Sequence, residues 1–199
     1  MGTVWRGALV VAALVLLGGR GATAQVTPRG LVEVRESGRR GFWVGFGLGA
    51  GGESFDLRDG LGYSDPLYRP TVSLRLGGTP NPHLRLGGEI LAWVHENGDA
   101  VESLTSALFV AQLYPSRAAG LYLKGGFGIG RNAVDVPYGF GASDTGFAGL
   151  VGGGWELRLS RHIYLNPAVD LVQHWYTERG TEGYRERLVN FGMGVVFQM

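Results

Sequence analysis

The sequence predicts an all-β fold: a single antiparallel up-and-down transmembrane β-barrel of about eight strands, preceded by a signal peptide. Three observations carry this. After Gly41 the chain repeats segments of about ten residues in which apolar side chains alternate with small or polar ones. The breaks between segments alternate between tight and long. Glycine supplies 36 of 199 residues, far above the usual ~7% and without a collagen period.

The first element is a targeting segment. Arg6 gives a positive start, Ala8 to Leu17 is an unbroken apolar run, and Ala22-Thr23-Ala24 has the small-x-small pattern a signal peptidase cuts. Residues 1–24 are therefore expected to be a signal peptide, since a spanning helix needs roughly 20 apolar residues. Residues 25–41 read as a polar lead-in and 42–199 as the barrel. Removing Arg6 and Arg20 leaves 16 cations against 17 acids. This near-neutral balance, with no basic stripe, excludes a nucleic-acid partner. There is no cysteine, so stability must come from a core or from closed hydrogen bonding.

The strands are read near 42–53, 70–78, 83–95, 102–114, 121–132, 146–160, 162–175 and 187–199. In the last, Val189, Phe191, Met193, Val195, Phe197 and Met199 share one face, against Leu188, Asn190, Gly192, Gly194, Val196 and Gln198. The first sets Phe42, Val44, Phe46, Leu48 and Ala50 against Trp43, Gly45, Gly47 and Gly49, and the third sets Leu84, Leu86, Ile90, Ala92 and Val94 against Arg85, Glu89, Trp93 and His95. The fourth is ambiguous in parity. The breaks at Gly78–Pro82, Pro115–Gly120 and Ser160–Arg161 are tight. Those at Ser54–Arg69, Ala133–Thr145 and Tyr176–Glu186 are long and polar, with Glu96–Val101 a short exception. Long loops on one rim and turns on the other suit an outer and a periplasmic side.

Alternation alone does not say which face is inside. A soluble lipocalin-like barrel, a periplasmic carrier, would hide the apolar face. The opposite face, however, is dominated by glycine, which as an outer skin would expose bare backbone. As the lining of a narrow barrel, glycine makes room for Trp43, Arg75, Arg85, Trp93 and Arg158. A ten-residue strand tilted by about 40° also spans roughly 25 Å, the height of a lipid-facing band. In hydrocarbon a closed sheet pairs every backbone polar group.

At this point the chain resembles the small bacterial outer-membrane β-barrel proteins (OmpA transmembrane-domain, OmpX and opacity-protein type). The resemblance covers nearly all of the mature chain in pattern. Its most specific part is the closing strand, Asn190-Phe191-Gly192-Met193-Gly194-Val195-Val196-Phe197. It looks like the polar-x-Gly-x-x-hydrophobic-x-hydrophobic signal read by the barrel-assembly machinery, with Asn190, Gly192, Val195 and Phe197 in the key places. The family usually closes on an aromatic residue, and here Met199 stands instead. The resemblance implies residence in the bacterial outer membrane, contact with its lipid and lipopolysaccharide, and engagement of the assembly machinery during insertion.

Few residues point to chemistry. Gly47–Gly52 spells G-x-G-x-x-G, but without the following helix that a phosphate cradle needs. His83, His95, His162 and His174 show no metal-ligand spacing. No catalytic residue and no cofactor is assigned. Asp170 and His174 share a face about 13 Å apart, and a cross-strand partner such as a serine stays open for His174. The informative residues are interior charges: Arg75, Arg85, Glu89, Lys124, Glu156, Arg158 and Asp170 should point inward and pair in an ion network that plugs the lumen. Aromatic girdles are expected at Phe42, Tyr114, Tyr122, Tyr164 and Phe197 on one rim, and at Tyr68, Phe147, Trp175 and Tyr176 on the other. The expected function is a plugged, non-enzymatic barrel with a structural or surface-interaction role and no known external ligand. The alternatives are a barrel enzyme acting on outer-leaflet lipid A and the soluble carrier.

Overall fold

The computed structural model describes residues 39–57, 62–98, 100–116, 119–135, 141–177 and 183–199. The expected signal peptide and almost all of the lead-in lie outside the described residues. The strands are β1 (Gly41–Asp56), β2 (Leu67–Asn81), β3 (Leu84–Asn97), β4 (Ala100–Leu113), β5 (Leu121–Asp135), β6 (Ala142–Trp155), β7 (Leu157–Arg158), β8 (Ile163–Trp175) and β9 (Arg185–Gln198). Each pairs antiparallel with its neighbour, and β1 pairs with β9, so the sheet closes and leaves no edge. The pairs Gly154↔Ala168 and Leu157↔Leu165 keep one register, which makes β6 and β7 a single stave of an eight-stave barrel. The interruption has a local cause. That register sets Trp155 opposite Pro167, which has no N–H to give, and the Asn166 side chain donates to Trp155 O at 3.1 Å.

The registers also fix the barrel's shape. Stepping from Gly45 through Arg75, Glu89, Leu108, Gly128, Ala148, His174 and Glu186 returns to β1 at Phe55, a shear of ten residues. Eight staves with that shear tilt by about 40° and enclose a space only wide enough for side chains. The outward apolar residues then form a band roughly 25 Å tall. Leu48 is 68% exposed, Ile129 60% and Met193 51%, figures that would be untenable in water for so many large apolar groups and that fit acyl chains.

The strands run past the sequence-read segments at the outer rim. Above the lipid both faces are wetted, so hydrophobic alternation fades while the backbone ladder continues. The break expected at Glu96–Val101 is a tight turn after the Asn97↔Ala100 pair, with Gly98 at φ 62°. On the opposite rim, β2 and β3 join through Pro82 and His83, where Asn81 Oδ1 accepts from His83 N at 2.9 Å.

The ambiguous fourth strand points Glu102, Leu104, Ser106, Leu108, Val110 and Gln112 inward and Ser103, Thr105, Ala107, Phe109 and Leu113 outward. Both faces carry apolar residues because the outer half of the lumen is itself a hydrophobic cluster, with Leu91, Trp93, Leu104, Leu108, Val110, Leu150, Val172 and Leu188. The girdles need correction: Tyr114, Tyr122, Tyr164 and Tyr176 are buried inside the barrel. The Tyr114 and Tyr122 hydroxyls find partners there, on Glu156 Oε1 at 2.9 Å and Asn166 Oδ1 at 3.0 Å. Phe42, Phe197, Tyr68, Phe147 and Trp175 face outward.

Candidate functional site: the filled lumen

Glycine makes the interior possible by space. A Cβ on Gly194 would stand 2.8 Å from Arg75 Nη2, and one on Gly154 2.5 Å from the Tyr122 hydroxyl. Gly152 lies in register between Lys124 on β5 and Asp170 on β8, so the lysine reaches across an empty rung to its acid.

Two ionic clusters result. At mid-depth, Lys124 Nζ donates to Glu89 Oε2 at 2.8 Å, Glu89 Oε1 at 3.1 Å and Asp170 Oδ2 at 2.9 Å. Arg75 stands in register between Gly45 and Glu89, so two cations face two carboxylates. Toward the periplasmic rim, Arg85 Nη1 pairs with Glu156 Oε1, and Arg85 Nη2 donates to Gln198 Oε1. The Tyr114 hydroxyl lies 2.9 Å from Glu156 Oε1 and 3.0 Å from Gln112 Oε1. Arg39, from the segment ahead of β1, donates from Nε to Glu156 Oε2 at 3.2 Å. Arg75 and Arg85, expected in a single ion network, therefore belong to different clusters, each with its own acids.

Arg158 is a correction. It is exposed and donates from Nε to Ser160 O at 3.0 Å, because β7 lies at the rim, where the guanidinium is open to solvent. The second cation beside Glu156 is Arg39, which the sequence reading passed over in the lead-in. Tyr114, Gln112 and Gln198 were also missed. Gln198 was legible from its parity on β9, whereas Tyr114 and Gln112 were hidden by the ambiguous parity of β4.

Near the outer end, Ser106 Oγ lies 2.8 Å from His174 Nε2, the cross-strand serine contact left open for that histidine. Both residues are fully buried. Above them Tyr176 stacks on Tyr184 with centroids 4.6 Å apart. Burial, reinforced by the Glu186 carboxylate, pushes the Tyr176 phenol up, so it stays protonated. The remaining histidines serve locally: His83 Nδ1 contacts Tyr114 O at 2.9 Å, His162 Nδ1 contacts Gln198 O at 3.0 Å, and Arg69 Nε donates to His95 Nδ1 at 2.8 Å. Among the described residues no three His, Asp or Glu side chains converge as metal ligands.

In the closing strand, Asn190 and Gly192 face inward, Asn190 accepting from Thr71 Oγ1 at 2.6 Å, while Val195 and Phe197 face lipid. On the outside, the shear brings Tyr68, Arg131, Phe147, Trp175 and Arg187 to one level at the outer end of the apolar band, within about 4 Å. Phe147 and Trp175 pack at 5.6 Å between centroids, and the Arg187 guanidinium lies 3.8 Å from the Tyr63 ring centre.

Comparison with known proteins places this architecture. The sequence model of the family described as outer membrane protein beta-barrel domain matches residues 11–197. Comparison with the curated proteins gives no match. Among solved structures, Neisserial surface protein A is similar with a TM-score of 0.58 at 14% identity, covering 79% of this chain and 97% of that one. Ail, the attachment invasion locus protein of Yersinia pestis, gives 0.48 at 13%, covering 79% and 99%. The outer membrane protein OprG from Pseudomonas aeruginosa gives 0.45 at 16%, covering 82% and 99%.

Proposed function

Because the chain belongs to the outer membrane protein beta-barrel domain family, we propose that it serves the bacterial outer membrane as a closed, non-conducting barrel whose role is structural or surface-interacting. The observation that carries this reading is the filled lumen. Lys124, Arg85 and Glu156 side chains are at most 1% exposed, and an apolar cluster lies between the ionic layers and the outer mouth. Charges this dry and paired across the barrel support a closed lumen. Catalysis is not part of the proposal; the Ser106–His174 pair is buried in the barrel wall and lumen.

The partners in this reading are the outer-membrane lipids, lipopolysaccharide foremost, and the assembly machinery that would read Asn190, Gly192, Val195 and Phe197 during insertion. Exposed Arg131, at the top of the apolar band, suits a lipid phosphate with acyl chains lying along Ile129 and Phe127 below it. Single-channel recording in planar bilayers tests the closed lumen. The expected trace is silent, and a large steady conductance overturns the reading.

A further inference from the structure

Glu156 already has a counter-ion in Arg85, so a second guanidinium is not needed for charge balance. Burying it adds a desolvation cost and makes the cluster net positive. Yet Arg39 is 1% exposed and held on three sides. Its Nε donates to Glu156 Oε2 at 3.2 Å, its Nη2 donates to Ala119 O at 3.1 Å, and its guanidinium carbon lies 3.9 Å from the centre of the Tyr114 ring. A carboxylate, a carbonyl and an aromatic face around one planar cation are a guanidinium receptor.

The chain is shaped to deliver that cation. Gly41 adopts φ 79°, and a Cβ there would collide with Met199 O, so only glycine makes this turn from the wall into the mouth. Gln198 Nε2 donates to Arg40 O and to Phe42 O, the latter at 3.2 Å, which fixes the turn to the last strand. Through its Oε1 the same Gln198 holds Arg85. We propose that the periplasmic mouth is a guanidinium-binding site occupied in cis by Arg39, which acts as a stopper for the lower lumen. This rests on the closed-lumen reading and names the group that completes it.

The test is R39A and R39K in the full chain, recorded in planar bilayers beside the parent protein, with folding checked by heat-modifiable gel migration. R39A is expected to show transient openings where the parent is silent, and millimolar guanidinium, far below denaturing concentrations, is expected to suppress them. R39K is expected to close partially, since an ammonium pairs with Glu156 but does not present a flat fork to Tyr114 and Ala119 O. A silent R39A, or openings that guanidinium leaves unchanged, overturns the stopper. A conducting parent overturns the closed lumen itself. Should R39A fail to insert, the parent decides: phenylglyoxal is expected to label exposed Arg40 and spare Arg39, and equal labelling of both overturns the proposal.

Discussion

Lys124→Met tests the mid-depth cluster most sharply. The ammonium makes three contacts between 2.8 and 3.1 Å with two carboxylates and is fully buried. Methionine of similar length fills the space, so the change removes charge with little change in packing. Glu89 and Asp170 are then left with Arg75 alone, and the cluster moves from neutral to one net negative charge. Removing one partner of a buried pair costs about 3–5 kcal/mol, because the remaining charge stays buried without its counter-ion. The assay is urea-dependent unfolding in lipid vesicles, followed by tryptophan fluorescence and by loss of the compact gel band. The expected result is a loss of about 3–5 kcal/mol, partly recovered by adding Asp170→Asn, which restores neutrality. A loss below about 1 kcal/mol, the value of a surface pair, would refute the claim that these charges are dry and mutually dependent.

Other perturbations separate the elements of the account. Met193→Arg places a cation at mid-height on the lipid face and is expected to cost about 2–4 kcal/mol in the same unfolding assay; a neutral result contradicts the assignment of faces. Gly194→Ala puts a Cβ 2.8 Å from both Arg75 Nη2 and Phe46 O, and should lower stability by about 1–3 kcal/mol through overpacking. Arg158→Ala should fall within about 0.5 kcal/mol of the parent, as for an exposed rim residue, while Arg85→Ala in the same titration should be far more damaging.

Where one face of a strand meets lipid and the other meets glycine and ions, periodicity shows both. Strands β1, β3 and β9 were readable residue by residue for that reason, and Arg75, Arg85, Glu89, Lys124, Glu156 and Asp170 were assigned inward from parity alone. The signal fails where both environments are apolar. On β4, Leu104 and Leu108 enter a hydrophobic lumen while Phe109 and Leu113 meet acyl chains, and no pattern of polarity separates them. It fails again at the tyrosines, whose amphipathic rings suit an interface or a hydrogen-bonded interior equally well; Tyr114 and Tyr122 took the interior because Glu156 and Asn166 waited there. Arg39 was invisible because it precedes the first strand, and no alternation marks a side chain delivered by a turn. Arg158 had the right parity, but parity says nothing about where the lumen stops.

The orientation of the apolar face is the claim on which the rest stands, and the absence of native cysteine makes it directly measurable. Single cysteines at each position from Val189 to Phe197, spin-labelled in the inserted barrel, report collision with oxygen dissolved in the bilayer. The account predicts a period of two, with high oxygen accessibility at Val189, Phe191, Met193, Val195 and Phe197 and low values at Asn190, Gly192, Gly194 and Val196. Maxima at the second set, or a profile without alternation, would contradict it.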